Sequence, residues 1–345
     1  MRNYPNTLLA FLFLFISLNL SAQQEKKRAV HAGLIYPLST NGLQAGEYTN
    51  AFSVHAVAGY SKAETGTAIA GFGNVTKSSS GVLIAGFGNV VQDSAKGVQI
   101  AGFANVAKIR SSAFQVAGFA NMARGDASGQ VSGFCSVARG EVRGVQLSGF
   151  LNCAHEVNTQ ISGFINIAKR VKGVQLAGFI NVADSSDYPI GLVNIIKTGE
   201  KSVALSIDET MTTMASFRSG GRVMYGVIGV GYNLKNTGKS LYGAEAGFGA
   251  HVRLASDVRL NLEMVSQTLS DFKGTDYFKS SIRVLPGYKF GKKLEVYAGP
   301  TFNYIDYGQN ETTNLIKRYV WSRNKNNGDL QGLYFGVNAG IQILL

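Results

Sequence analysis

The sequence predicts an all-β chain: a short-period repeat sheet, solenoid-like in form, followed by antiparallel strands of the kind that close barrels. Three observations predict it. A Gly-Phe pair with Asn two residues after the Phe returns about every 15–16 residues between Thr67 and Lys197. From Gly221 onward apolar and polar residues alternate over long runs, the period of strands and not of helices. The composition, 42 Gly, 20 Phe and 15 Tyr with only 5 Pro in 345 residues, is that of a Gly- and aromatic-rich β protein with helix nearly absent.

Residues 1–22 come first. Arg2 precedes an apolar run from Leu8 to Leu18 that closes on Leu20-Ser21-Ala22, ahead of the polar Gln23-Gln24-Glu25-Lys26-Lys27-Arg28. About eleven residues fall short of the ~30 Å of hydrocarbon a helix must cross, so a cleaved secretory signal ending at Ala22 is expected. No Cys follows to carry a lipid. No later stretch is apolar enough for a membrane helix, so a membrane-embedded form has to be a closed barrel, which satisfies every backbone group internally. Residues 23–62 then lead in with two strand-like segments, Ala29 to Leu38 and Ala51 to Tyr60, parted by the turn-forming Ser39-Thr40-Asn41-Gly42.

The repeat region spans 63–198. Its positions are Phe72 and Asn74, Phe87 and Asn89, Phe103 and Asn105, Phe119 and Asn121, Phe134 with Ser136, Phe150 and Asn152, Phe164 and Asn166, and Phe179 and Asn181, closing on Leu192 and Asn194. The intervals between the glycines that precede them are 15, 16, 16, 15, 16, 14, 15 and 13. Such a unit cannot bury its apolar side alone and does so against its copies. Two architectures fit. In a parallel solenoid each unit is one coil: Gly102 turns the corner, Phe103 stacks between Phe87 and Phe119 in the interior, and Asn105 joins Asn89 and Asn121 in an amide ladder. In an antiparallel meander each unit is one strand, segments such as Arg139-Gly140-Glu141-Val142 are hairpin turns, and repeats and carboxy-terminal strands close one large barrel. Alternate turns of a membrane barrel normally differ in length, and these intervals show no such alternation, which favours coils. Coils also require Gln99 to lie beside Gln115. Cys135 and Cys153 occupy Val/Ala-type positions two residues out of phase, beyond easy disulfide reach, and are expected to be small buried hydrophobes.

In 199–345 the strands lengthen. Tyr242, Ala244, Ala246, Phe248, Ala250, Val252 and Leu254 oppose Gly243, Glu245, Gly247, Gly249, His251 and Arg253; Val258, Leu260, Leu262 and Met264 oppose Arg259, Asn261 and Glu263. This is the apolar-out, polar-in pattern of outer-membrane barrels. Segments near 222–233, 240–254, 257–269, 277–290, 293–306 and 331–344 give six strands, with turns such as Asn236-Thr237-Gly238-Lys239 and Phe290-Gly291-Lys292-Lys293. Small barrels need eight, so further strands must come from Val203 to Arg218, the lead-in or the repeats. The inward residues form the one constellation with chemical content: Glu245, His251, Arg253, Arg259, Glu263 and Arg283, with Lys289 and Glu295. Opposite charges in a narrow lumen must pair. A salt-bridge plug is the first reading, a conductive or ligand-selecting lining the second, and a hydrolase using His251 oriented by Glu245 the third.

The repeats resemble a family, the surface-repeat proteins of bacteria with two membranes, whose units read approximately Gly-Val-Gln-Ile-Gly-Leu-x-Asn-x-Ala. Gly97-Val98-Gln99-Ile100, Gly144-Val145-Gln146-Leu147 and Gly173-Val174-Gln175-Leu176 match it, as do Pro189-Ile190-Gly191-Leu192-Val193-Asn194 and Gly221-Arg222-Val223-Met224-Tyr225. The similarity covers roughly residues 50–235. Family members include lipoproteins made almost wholly of repeats, which implies that the unit stands without a barrel; this chain lacks their lipid-bearing Cys. The resemblance implies an outer-membrane or cell-surface location and carries no catalytic residues.

Little else suggests chemistry. His31, His55, His155 and His251 fall at no metal-ligand spacing, and no cofactor is expected. Gly226-Val227-Ile228-Gly229-Val230-Gly231 lies inside a strand pattern with no helix after it, so it is not a phosphate loop. Asn310-Glu311-Thr312 belongs to a long polar loop, Asn310 to Leu330, that holds Trp321. The formal charge is +12, and the repeat region's basic residues, Lys77, Lys96, Lys108, Arg110, Arg124, Arg139, Arg143, Lys169, Arg170 and Lys172, lie between strand segments. They form a solvated rim or an edge that meets anionic groups. The expected partners are outer-membrane lipid and an anionic surface polymer or another surface protein, with no nucleic acid. The expected function is a non-enzymatic scaffold displaying a Gln/Asn-studded sheet, with a passive pore as the alternative.

Overall fold

The computed structural model describes residues 25–235, 240–273, 276–308, 315–316, 318–324 and 329–345. The signal expected at 1–22, the turn at 236–239 and the Asn310-Glu311-Thr312 segment lie outside them. Among the described residues the chain is all-β, with one 3-10 turn at Gly42–Glu47. It forms two sheets: a stacked parallel solenoid of 21 strands, and a closed eight-stranded antiparallel barrel edged by one short extra strand.

The solenoid is the coil architecture. Val98–Ala101 pairs in parallel with Phe114–Ala117, and Ala104–Ala107 with Ala120–Ala123, each residue against its counterpart one unit on. Each coil thus contributes two short strands meeting at the Gly-Phe corner, four residues each in these coils and running on into the joining segment in others, as in Leu151–Ser162. A third segment, paired only in places, leads to the next coil. The lead-in belongs to the same stack: Lys26–Ile35 pairs in parallel with Tyr48–His55, which pairs with Ala58–Ala70 across residue 62. The corner demands glycine because coils touch there. A Cβ on Gly118 would lie 2.1 Å from the Gly102 carbonyl oxygen, and the same approach recurs at Gly86, Gly102, Gly133, Gly149 and Gly178.

Burial corrects the expectation for the aromatic column. Phe72, Phe87, Phe103, Phe119, Phe134, Phe150, Phe164 and Phe179 do stack face to face, with ring centroids 4.8–5.2 Å apart. The stack stands outside the coil, 39–55% exposed. The interior holds Asn74, Asn89, Asn105, Asn121, Asn152, Asn166, Asn181 and Asn194 with Gln99, Gln115, Gln130, Gln146, Gln160 and Gln175, backed by small apolar residues such as Ala107, Ala123, Ala138 and Val142. A coil of about 15 residues encloses too narrow a section for Phe, whereas a flat amide fits and finds its partner one coil away. The display of a Gln/Asn-studded surface is therefore overturned: those amides are sealed. Cys135 and Cys153 are free and half-buried rather than buried. Cys135 pairs in register with Leu151, and Val137 with Cys153, the two-residue offset read from sequence.

The barrel strands are Lys201–Asp208, Thr212–Gly220, Met224–Asn233, Tyr242–Arg253, Val258–Ser270, Asp276–Phe290, Leu294–Tyr307 and Leu330–Leu344. Closure is made by Lys201–Asp208 pairing with Leu330–Leu344, Ser202 against Leu344 through Asp208 against Asn338. The two strands missing from the six-strand reading are therefore Lys201–Asp208 and Thr212–Gly220. Trp321–Asn324 adds to the free edge of Leu330–Leu344 beyond that seam.

Candidate functional site

Alternation places one side chain in two inside the barrel, and the inward set meets in a paired network. Glu263 accepts from Arg218 Nε at 2.8 Å, from Tyr225 Oη at 3.1 Å and from Arg283 Nη1 at 3.4 Å. Arg283 Nη2 reaches Glu245 at 2.8 Å, and Ser216 Oγ donates to the other oxygen of Glu245. The Arg218 guanidinium lies over the Tyr297 ring, 5.0 Å from its centroid. All four charged groups are 4% exposed or less. Two guanidinium groups and two carboxylates from four strands thus neutralise one another, the condition under which buried charge is tolerable, although Arg218 Nη1 is left without a hydrogen-bond partner.

Two further groups extend the network. Toward the end of the barrel that holds Leu345, Arg259 pairs with Glu200 and Glu295, each at 2.5 Å, Asn261 donates to Glu295 at 2.9 Å, and Lys289 lies 3.4 Å from Glu200. Burial alone would raise the Glu200 carboxyl; Arg259, His251 and Lys289 outweigh it and hold the group below its ordinary range. At the other end Lys279 is paired with Asp208, which also accepts from Thr210. Above it the lumen closes on an apolar cluster of Leu241, Leu269, Tyr277, Ile305, Tyr334 and the loop residues Leu315 and Ile316.

Of the lumen residues read from sequence, Glu245, Glu263 and Arg283 meet in one group, and Arg259, Glu295 and Lys289 lie in a second one around Glu200. Two do not. Arg253 is exposed at the end of its strand, because the alternation runs past the wall there. His251 does not meet Glu245: its Nδ1 lies 2.8 Å from Asn261 Oδ1, its Nε2 is 3.7 Å from Glu200, and its ring stacks on Tyr225. The oriented His–Glu pair of the hydrolase reading is absent. Sequence reasoning misses Arg218, Glu200, Asp208 and Lys279; the inward parity of Ser202, Ser206 and Asp208, of Thr212, Ser216 and Arg218, and of Lys279, Ser281 and Arg283 is the signal that finds them. Among the described residues no group of three His, Cys, Asp or Glu side chains is arranged to hold a metal.

The second constellation is the solenoid's pair of amide ladders, which run in opposite senses. Each Asn donates toward the carboxy terminus, Asn74 to Asn89, Asn89 to Asn105 and Asn105 to Asn121 at 2.9–3.0 Å. Each Gln donates toward the amino terminus, from Gln115 to Gln99 through to Gln175 to Gln160 at 2.7–3.0 Å. The unpartnered atoms fall where the repeat lapses. Gln99 Nε2 faces the coil of Leu83, Gln175 Oε1 faces that of Pro189, and Asn152 Oδ1 faces Ser136, and all three lack partners. At the end of the stack the Asn ladder passes onto the barrel, Asn194 Nδ2 donating to the Ser219 carbonyl at 3.1 Å and its backbone N–H to Ser219 Oγ at 3.0 Å.

No family model matches the chain, and no curated protein matches it. Among solved structures, one described as "De novo design of transmembrane beta-barrels" is similar at 15% identity over 42% of this chain and 93% of that one, with a TM-score of 0.27.

Proposed function

We propose that this is a non-enzymatic outer-membrane protein whose eight-stranded barrel is the anchor and whose repeat solenoid is an interaction scaffold. The observation that carries the reading is the inverted burial of the barrel: its charges are paired inside while Val203, Leu205, Phe248, Met264, Ile282, Val296, Phe335, Val337 and Ile341 stand exposed on the outer wall. In water that wall is an aggregation surface; in lipid it is the stable arrangement. From Tyr242 to Val252 ten residue steps at about 3.3 Å, tilted about 40°, give an apolar height of about 25 Å, the thickness such barrels span. Tyr232, Tyr242 and Phe278 toward one rim and Tyr288 and Phe290 toward the other supply the interfacial aromatics.

The filled lumen supports an anchor over a pore, because ion passage would have to break the Glu245, Glu263, Arg283 and Arg218 pairs. For the scaffold, the surface suited to an anionic polymer is the charged third side of the coils, where Lys108, Arg110, Arg124, Arg139, Lys169 and Arg170 stand. The test is twofold. Purified chain folded in detergent should migrate faster unheated than boiled, as closed barrels do, and planar bilayers should show no discrete conductance steps. Discrete open-channel steps would replace the anchor reading with the pore.

A further inference from the structure

We infer that the solenoid lies against the hydrocarbon of the same membrane, its Phe column and the two strand faces beside it embedded in lipid and not extended into water. The inference rests on the barrel being the membrane anchor. Every Asp, Glu, Lys and Arg between Gly66 and Lys197 falls in the segments joining one coil to the next, so the two strand faces flanking the Phe corner carry none. Those faces expose Ile100, Met122, Leu147, Ile167, Leu176 and Ile195 beside the Phe column. Seven ring-to-ring steps make the column about 35 Å long, and a four-residue strand on each side spans about 13 Å, so the apolar surface is on the order of 900 Å². That exceeds the few hundred Å² a soluble monomer normally leaves bare.

The occupant follows from where the stack ends. Its last coil sits on the barrel's outer wall: Asn194 bonds Ser219, and the Leu192 carbonyl lies so close to Gly226 that a Cβ there would meet it at 2.3 Å. Ser219 pairs with Gly226, Gly226 with Phe248, Phe248 with Met264 and Met264 with Ile282, one row of outward positions around the barrel. The solenoid's apolar faces therefore begin on the row that the barrel offers to lipid. The third side, with eleven basic against six acidic residues between Gly66 and Lys197, is left to face anionic headgroups and water. Within each run of the repeat the interior amides are paired coil to coil.

The experiment uses the full chain with Trp321→Phe, folded into phosphatidylcholine vesicles whose acyl chains carry bromine near mid-chain, a short-range quencher of tryptophan. Single tryptophans are placed by Phe119→Trp on the column, Arg124→Trp on the third side and Phe248→Trp on the barrel wall. Phe119→Trp and Phe248→Trp should each lose at least half their emission relative to unbrominated vesicles, with Arg124→Trp unchanged. Quenching of Phe248→Trp with Phe119→Trp matching Arg124→Trp would overturn the inference and leave the barrel anchor standing. A blue-shifted but unquenched Phe119→Trp would also overturn it, in favour of a second copy covering the column. No quenching at Phe248→Trp would remove the anchor and the inference together.

Discussion

Asn105 offers a direct measure of what an amide ladder contributes. Its Nδ2 donates to Gln99 O at 3.2 Å, Val116 O at 2.7 Å and Asn121 Oδ1 at 3.0 Å, while its Oδ1 accepts from Asn89 at 2.9 Å. Asn105→Ala removes these bonds and strands Asn121 Oδ1 in the interior, where no other donor reaches it. Asn121→Ala differs in one respect. Asn121 is the last member of its run, followed by Ser136, so its loss strands no side-chain acceptor in the next coil, and Asn105 Nδ2 keeps two carbonyl partners. A buried acceptor without a donor costs about 1–3 kcal/mol, whereas a lost bond whose donor is still satisfied costs about 1 kcal/mol or less. Asn105→Ala should therefore be the more destabilising of two chemically identical truncations, by about 1–3 kcal/mol. Hydrogen exchange of the Ala120–Ala123 amides in the detergent-folded chain reads the local opening free energy of those coils. Equal losses for the two variants would refute the directional ladder.

Other consequences follow from the same contacts. Ser136→Asn supplies the donor that Asn152 Oδ1 lacks, at the loss of the 2.8 Å Ser132–Ser136 hydroxyl bond, and should raise stability by about 1 kcal/mol, read as a higher urea midpoint. Gly118→Ala puts a Cβ 2.1 Å from the Gly102 carbonyl and should open the stack, seen as rapid proteolysis near residues 102–133 while the barrel stays resistant. Arg283→Ala leaves Glu245 without a cation and Glu263 with one, and should cost about 3–5 kcal/mol, lowering the temperature at which unheated mobility is lost; Arg283→Met with Glu245→Met should cost less than Arg283→Ala. At the first coils, burial, then His55 and Arg28 nearby, hold His31 down to about 4 from 6.5. The unfolded chain binds the extra proton first, so this contribution is complete above about pH 6.5 and is lost as pH falls toward 4, by up to about 3 kcal/mol. Burial raises Glu64 and acts in the opposite sense, while burial lowers His55 and acts in the same sense as His31, so the loss should be measured by amide exchange of residues 48–55 in Glu64→Gln; His31→Asn should reduce it, and His31→Asn with His55→Asn should abolish it.

Much of this molecule is written in its period. The Gly-Phe-x-Asn recurrence determined that coils or strands must pair copy to copy, the uniform intervals favoured coils, and the offset of Cys135 from Cys153 survived intact. The alternation from Tyr242 onward determined the barrel wall and brought Glu245, Glu263 and Arg283 to one side of it. Parity fails only at Arg253, where the strand outruns the barrel. What a period of two cannot state is which side is inside, since exchanging the faces leaves the pattern unchanged. Hydrophobicity argued for Phe within and Gln and Asn without, and the tertiary structure decided the reverse. Stacking at about 4.8 Å gives an amide within a run a partner in the next coil, so Asn105 and Gln115 can be buried at no loss of hydrogen bonds, while the narrow coil leaves no room for a phenyl ring. Closure was equally beyond the sequence, because Ser202 meets Leu344 only after every intervening strand has found its neighbour.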